Sequence, residues 1–283
     1  MLEIRPIDLS PAGIAQTCEL LNAVFPSATH IDTGYLERLF NGCPYGPTSG
    51  FSGFDDGQLV AHYVNIPIRA RVEGELRDGI WPFQFAVHPQ YQGKGAFRAL
   101  GDRIVDEMTA EGESFVVGIT NANSTPIMQK LWGYHAVAPL EVKVGVGPMP
   151  ERDPGDDLRF VRIWDEAAIA WRLKLPAEPY RVLRRRGVAH LYAPGDRMGI
   201  HVEVGAFPES LVPDDLDPLR TANPLRMWIG LDPARRWRAR GYVDLPERWK
   251  PSPLILTFFD FRDAKHSLDP AQTRFNVFDF DAY

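Results

Sequence analysis

Apolar residues follow two different spacings along the first half of the chain, and each spacing predicts a different kind of element. Steps of three and four residues predict amphipathic helices over residues 11–24, over residues 32–40 and from Phe97 to Met108. Short apolar or alternating runs predict strands over residues 4–7, 50–54, 58–72, 80–87 and 114–120. The order is therefore one strand, two helices, an antiparallel meander, a helix and a further strand.

The join between the strand at 80–87 and the following helix holds two closely spaced glycines. Residues 87–95 read VHPQYQGKG, and Gly93 and Gly95 allow the backbone to approach a ligand closely. The first turn of a helix leaves N–H donors without partners at the positive end of the helix dipole, which predicts a phosphate site. The Walker pattern is absent, and so is the third glycine of a dinucleotide-binding fingerprint.

Residues 87–95 resemble motif A of the GNAT acyltransferases, which is written V-x-P-x-Y-R/Q-G-x-G. The resemblance implies an acyl-coenzyme A co-substrate whose pyrophosphate is held by the amides of this loop. The cofactor-binding residues that it implies in this region are Phe85, Ala86, Val87, Gln92, Gly93, Lys94, Gly95, Ala96 and Phe97. The family usually has Gly or Ala where Phe97 stands. Either Phe97 faces the core and leaves the loop intact, or it narrows the loop and shifts the cofactor.

Residues 118–134, GITNANSTPIMQKLWGY, resemble motif B of the same family. The resemblance implies that Asn121 and Asn123 lie near the pantetheine arm of the cofactor. Asn123 or Ser124 is expected to cap a short helix that ends at Gly133. Many GNAT enzymes have a tyrosine as general acid at the position where this chain has a glutamine, so the usual acid is missing. The stretch also resembles a subgroup found among bacterial surface-polysaccharide proteins, which implies a nucleotide-linked amino sugar as acceptor.

Four polar or aromatic residues are candidates for the acceptor side of the site. His62, on the meander strand, is the candidate base that would take a proton from the attacking amine, and its alternative role is that of a hydrogen-bonded framework residue. The resemblance implies that Tyr35 and Tyr45 lie in one wall of the acceptor pocket, and packing or surface roles are the alternative. Gln84 interrupts an apolar strand, so its amide needs a partner, either structural or in a substrate.

Residues 145–157 are rich in turn formers and charge, which predicts a domain boundary. The predicted domains are a GNAT acyl-CoA-binding domain over residues 1–148, closed by a strand at 137–146, and a second domain over residues 149–283. The second half contains no glycine loop of the same pattern. It is expected to be a degenerate GNAT-like domain without a phosphate loop, or else an unrelated α+β domain. The predicted fold is α+β (mixed α/β), with a central mixed, mostly antiparallel sheet flanked by helices.

Composition narrows the possible partners. The 283 residues include 31 basic and 37 acidic side chains, a net charge of −6, which disfavours nucleic acid or an anionic membrane as the main partner. No apolar run reaches the roughly 18 residues of a membrane span, and no signal peptide is recognisable. Cys18 and Cys43 alone make neither a disulfide framework nor a metal site. We therefore expect a cytoplasmic protein without a bound metal, and a homodimer is a further expectation.

The function implied by the resemblance is transfer of an acetyl or other short acyl group from acyl-coenzyme A to a primary amine. A nucleotide-linked amino sugar is one acceptor, and an amino acid, a polyamine or an antibiotic amine is the alternative. Two departures from the family pattern, Gln129 and Phe97, leave open an alternative function, in which the protein binds acyl-coenzyme A without catalysing transfer.

Overall fold

The computed structural model describes residues 2–111, 115–150, 157–176, 178–193, 199–237, 241–246, 249 and 253–280. The helices are α1 (Pro11–Val24), α2 (Thr33–Asn41), α3 (Ala96–Glu111), α4 (Ser124–Trp132) and α5 (Glu166–Arg172). The strands of the first half are β1 (Glu3–Pro6), β2 (Ser49–Asp55), β3 (Gln58–Val72), β4 (Glu75–Val87), β5 (Phe115–Thr120), β6 (His135–Pro139) and β7 (Glu141–Val146). Those of the second half are β8 (Phe160–Arg162), β9 (Arg181–Arg185), β10 (Val188–Ala193), β11 (His201–Pro208), β12 (Leu225–Leu231), β13 (Val243–Asp244), β14 (Ile255–Asp260) and β15 (Thr273–Asn276).

In the first half, β1, β2, β3 and β4 pair in that order as an antiparallel meander. The two faces of this sheet carry different helices, because side chains alternate along β3. Val64 and Ile66 pack in the main core with α1 and α2, whereas Ala61 and Tyr63 pack in a second core with α3 and α4. The mixed, mostly antiparallel sheet flanked by helices is therefore confirmed.

The parallel strands β4 and β5 are paired at one position only, Ile80 opposite Val116. Pro82 lies two residues further along β4 and has no N–H to donate to a ladder. Beyond this point β4 makes no further ladder pair with β5 and continues to Val87, where the glycine loop follows. The two strands therefore leave an opening on the carboxyl side of the sheet.

The two halves exchange one strand each. β14, from the end of the chain, lies between β5 and β6 and is antiparallel to both. β7 pairs instead with β12 and β13 of the second half. The prediction of one closing strand at 137–146 is therefore wrong. The chain bends at the buried Leu140, whose amide donates to the carbonyl of Leu254 at 2.8 Å, because β14 already occupies the place beside β5.

The second half repeats the strand order of the first. β9, β10 and β11 form an antiparallel meander, and β11 then runs parallel to β12 over three residue pairs. The polar stretch 208–223 contains one helical element, a 3-10 turn at Glu209–Leu211. The segment 231–237 forms no α-helix, because Arg235 turns inward to buried carboxylates, and Arg238 and Arg240 lie outside the described residues.

A buried ion pair fixes the exchanged strand β14 to the first half. Arg77 on β4 donates to both carboxylate oxygens of Asp260 at 2.7 and 2.8 Å, and His266 Nδ1 lies 2.7 Å from the same group. Burial alone would raise the pKa of Asp260, but the hydrogen bonds from Arg77 and His266 lower it to about 2. The carboxylate of Asp260 is therefore ionised, and Arg77 and His266 hold it at the junction of the two halves.

Among the described residues, no helix has both the length and the apolar character that crossing a membrane requires.

Candidate active site

The loop between β4 and α3 has the backbone conformation that its glycines predict. A 3-10 turn at Pro89–Tyr91 leads into Gly93 and Gly95, whose φ angles are +73° and +84°. A Cβ at either position would meet nothing within 4 Å. Glycine is therefore required here by the left-handed backbone and not by crowding.

This loop presents a set of backbone donors. The first helical hydrogen bond of α3 runs from the amide of Ala99 to the carbonyl of Gly95, at 3.0 Å. The amides of five residues donate to no backbone carbonyl among the described residues: Gly93, Gly95, Ala96, Phe97 and Arg98. Converging unpaired amides at the start of a 16-residue helix form an anion site of the kind that binds phosphate groups.

Side chains around the loop hold it in place. The hydroxyl of Tyr91 donates to Asp55 in the β2–β3 turn at 2.8 Å, and Lys94 Nζ lies 4.9 Å from the centre of the Tyr91 ring. Gln92 Nε2 donates to the carbonyl of Val87 at 3.3 Å. The exposed ammonium of Lys94 adds positive charge beside the loop amides. The loop is thus tied to the meander and remains open to a ligand.

A cleft of about 510 Å³ opens beside the glycine loop. Its walls include Phe25 at the end of α1, Phe85 and Val87 on β4, and Phe97 at the start of α3. The ring of Phe97 also packs on Phe85 and Trp132, with centroid distances of 4.5 and 5.2 Å. Phe97 therefore forms an apolar wall of the cleft while the loop amides stay accessible.

A β-bulge interrupts β4 where it borders the opening. Val64 pairs with Phe83 and His62 with Ala86, so two residues of β4, Gln84 and Phe85, stand opposite one residue of β3. Gln84 has a φ of +46°, which is unusual for a side chain other than glycine. A bulge leaves backbone groups out of the ladder. This bulge can therefore offer backbone groups to a ligand at the border of the opening.

Gln84 combines two features of a binding residue. Its Oε1 is buried and has no hydrogen-bond partner among the described residues. A buried amide oxygen without a partner is uncommon and indicates where a polar ligand would find one. The sequence predicts Gln84 as a site residue because its amide interrupts an apolar strand. The β-bulge at Gln84 and Phe85 has no local sequence signal and could not be predicted.

The position of His62 does not support its predicted role as a base. The side chain is completely buried beside Phe40, and neither ring nitrogen has a hydrogen-bond partner among the described residues. Burial lowers the pKa of His62 to about 3. The imidazole is therefore neutral at physiological pH and is closed off from an incoming amine.

Replacing His62 with Leu tests this conclusion. We expect amine-dependent turnover to stay within about threefold of wild type, and the melting temperature to stay equal or rise, because two unpaired polar atoms leave the core. Turnover and thermal unfolding measured on the same preparation check this. A loss of turnover of about tenfold or more with acyl-coenzyme A binding intact would restore His62 to the mechanism.

The motif B residues form the entry to α4. The Oδ1 of Asn121 accepts from the amides of Asn123 and Ser124, both at 2.9 Å, so Asn121 and not Asn123 provides the side-chain cap. Both asparagines are exposed at the carboxyl end of β5. Gly133 ends the helix in the left-handed conformation, as predicted. The role of Asn121 and Asn123 towards a cofactor stays a prediction.

The two predicted acceptor-wall tyrosines occupy different environments. Tyr35 is only 3% exposed and packs in the main core, which does not support a substrate contact. Tyr45 is half-buried, and its hydroxyl donates to the carbonyl of Ile163 in the second half at 3.0 Å. Arg69 lies 5.2 Å from the centre of its ring. Tyr45 thus connects the loop after α2 to the second half of the chain.

An anion-binding loop beside an opening between β4 and β5 suits a co-substrate that carries phosphate groups. The family comparison agrees with this arrangement: residues 5–135 match the model of the acetyltransferase (GNAT) domain. The match covers 131 of the 283 residues and supports an acyl-coenzyme A-dependent N-acyltransferase. No protein of curated function matches the sequence significantly.

Solved structures with this fold extend over nearly the whole chain. A protein from Enterococcus faecalis described as a probable N-acyltransferase is 12% identical, with a TM-score of 0.65 over 92% of this chain and 73% of its own. A GCN5-related N-acetyltransferase from Anabaena variabilis is 10% identical, with a TM-score of 0.62 and the same coverage. Eis1 from Mycobacterium abscessus is 13% identical, with a TM-score of 0.56 over 90% of this chain and 73% of its own. At these identities the likeness concerns the fold.

Proposed function

We propose that this protein transfers an acetyl or short acyl group from acyl-coenzyme A to the primary amine of a small molecule. The observation that carries the proposal is the group of unpaired amides of Gly93 and of residues 95–98, which lies beside an apolar cleft. Such a loop suits the pyrophosphate of the co-substrate. The pantetheine arm would then follow Phe85, Ala86 and Val87 into the opening between β4 and β5.

The chemistry follows from this placement. The amine nitrogen attacks the thioester carbonyl carbon, a C–N bond forms, the C–S bond breaks, and the amine proton passes to solvent. An N–H of the Gln84 bulge stabilises the carbonyl oxygen as it gains charge. Gln129 cannot act as an acid, but a thiol with a pKa of about 8.5 can leave as the thiolate and take its proton from water.

We further propose that the second half is a degenerate copy of the first. The equivalent order of its meander and of its parallel pair, and the reciprocal exchange of β7 and β14, support this proposal. A boundary at residue 148 then divides the two copies in sequence, and one strand of each copy lies in the sheet of the other. The cytoplasmic location and the homodimer stay predictions from the sequence.

For the acceptor, we propose a nucleotide-linked amino sugar. The likeness of residues 118–134 to the surface-polysaccharide subgroup supports this choice. An amino acid, a polyamine or an antibiotic amine is the alternative acceptor, and a sensor that binds acyl-coenzyme A without turnover is the alternative function.

Release of the coenzyme A thiol, measured with acetyl-coenzyme A and a panel of amines, tests the function. We expect at least about tenfold more thiol release with a nucleotide-linked amino sugar than without amine. A response only to amino acids, polyamines or aminoglycosides would replace the acceptor and keep the reaction. Binding of acetyl-coenzyme A with no response to any amine would favour the sensor.

A further inference from the structure

The second half contains a cavity of about 310 Å³ on one face of its meander. Side chains alternate along β10: Ala189 and Leu191 belong to the main core, whereas His190 and Tyr192 point to the opposite face and line the cavity. In the first half, the equivalent face of β3 is covered by α3 and α4. The cavity thus lies where the phosphate-loop helix lies in the other half.

A buried charge network forms the floor of this cavity. Glu203 on β11 is fully buried and accepts a hydrogen bond from Arg235 Nη2, and His190 Nδ1 lies 2.9 Å from its other oxygen. Arg235 also donates from Nε to Asp232 at 3.1 Å. Burial alone would raise the pKa of Glu203, but the charge of Arg235 and the His190 contact lower it to about 2.

The network leaves donors available after its own contacts are made. Both carboxylate oxygens of Glu203 are occupied. Arg235 contacts Oε1, and His190 and the hydroxyl of Tyr192, at 3.4 Å, contact Oε2. Arg235 is 5% exposed and lines the cavity, yet its Nη1 has no hydrogen-bond partner among the described residues. A buried guanidinium nitrogen without an acceptor is costly, and an anionic oxygen is the acceptor that it prefers.

The rest of the lining has two parts. Arg185 and Arg186, at the exposed end of β9 and in the turn after it, place two more cations at the rim. Met149, Leu183 and Val188 supply an apolar wall. A few polar groups set in an apolar lining are typical of pockets for small organic ligands.

We propose that this cavity binds a small organic anion, with its carboxylate or phosphate group towards Arg235 and the rim arginines and its apolar part against Leu183, Val188 and Met149. The site is separate from the acyl-coenzyme A loop and does not depend on the proposed transfer reaction. Glu203 positions the donors: it holds His190 by Nδ1 and Arg235 by Nη2. Because Asp232 accepts from Arg235 Nε, His190 Nε2 and Arg235 Nη1 remain for the ligand.

Binding is measured on the full chain by calorimetry and thermal unfolding, with benzoate and phenyl phosphate as probes and uncharged benzamide as the matched control. We expect an anion at about 100 times its Kd to raise the melting temperature by several degrees. Benzamide should have no effect. Removing Arg235 would leave Glu203 uncompensated and risk unfolding, so the test uses Ala206→Phe, which fills the cavity from β11.

Ala206→Phe should abolish binding, and Arg185→Ala should weaken it at least about tenfold, the expected loss of one charged contact. Arg71→Ala, which removes an exposed arginine from β3, should bind as wild type. A response to phenyl phosphate alone would define the ligand as a phosphomonoester, and a response to benzoate would admit carboxylates. Equal binding of benzamide, unchanged binding by Ala206→Phe, or loss of binding in Gly95→Asp instead would overturn the proposal.

Discussion

Replacing Gly95 with Asp should abolish acyl-coenzyme A binding while the fold persists. The φ of +84° at this position disfavours any residue with a Cβ, and the new carboxylate would lie among the amides that receive the pyrophosphate. Like charges brought together in a binding site cost several kcal/mol. We therefore expect the affinity for acetyl-coenzyme A, measured by isothermal titration, to fall by at least about two orders of magnitude.

Gly74→Asp is the matched control for this variant. Gly74 lies in the β3–β4 turn with a φ of +85°, and a Cβ there also meets nothing within 4 Å. The backbone strain and the added charge are therefore the same, but the phosphate loop is untouched. Gly74→Asp should bind acetyl-coenzyme A as wild type does. Equal binding by Gly95→Asp would mean that the loop does not hold the co-substrate, and the proposed reaction would lose its basis.

The phosphate loop could be predicted from the sequence because its signals are local. A strand, two glycines two residues apart and an amphipathic helix follow one another within residues 80–108, and each element is determined mainly by its neighbours. The same holds for α2, predicted over residues 32–40, where Asp32 caps the helix by accepting from the amide of Tyr35 at 2.6 Å. It holds also for Gly133, whose left-handed conformation ends α4.

The strand exchange could not be predicted in this way, because it depends on pairing over long sequence separation. Nothing near Leu140 indicates that β6 and β7 join different parts of the sheet. The break follows from β14, which lies more than a hundred residues further along the chain. A run of apolar residues over 137–146 shows that a strand forms there, but not which strand it pairs with.

Burial of polar residues is the second feature that local patterns do not predict. His62 is a candidate base because imidazole is a common proton acceptor, and Arg235 stands in a run of arginines. The structure buries both. Their surroundings come from distant elements, Phe40 on α2 for His62 and Glu203 on β11 for Arg235. The sequence pattern predicts which face of a helix or strand is apolar. It does not predict which residues of a later element pack against that face.

The buried pair of Arg77 and Asp260 should make an unusually large contribution to stability. Asp260→Asn would remove the charge of the carboxylate that Arg77 contacts through two nitrogens, and breaking a buried pair on one side costs about 3–5 kcal/mol. The pair also holds β14 in the first half, so the two halves should lose part of their mutual support. We expect the free energy of unfolding, measured by urea denaturation at pH 7, to fall by about that amount.

Asp78→Asn provides the comparison, because it removes a carboxylate from an exposed pair. Arg69 and Asp78 lie 2.7 Å apart, but 68% of the Asp78 side chain is exposed. An exposed pair contributes at most about 1 kcal/mol. Equal, small losses for Asp78→Asn and Asp260→Asn would mean that the buried pair does not stabilise the exchanged strand.

The same carboxylate should make the wild-type protein sensitive to acid. The pKa of Asp260 is lowered to about 2 in the folded chain, so its contribution is fully present above the unfolded pKa of about 3.8 and is lost as the pH falls through the folded value. Wild type should therefore lose stability more steeply than Asp260→Asn between about pH 4 and pH 2. Part of the slope should remain in the variant, because Glu203, whose pKa is also lowered to about 2, titrates over the same range. Parallel curves for the two proteins would contradict the assignment of the acid sensitivity to Asp260.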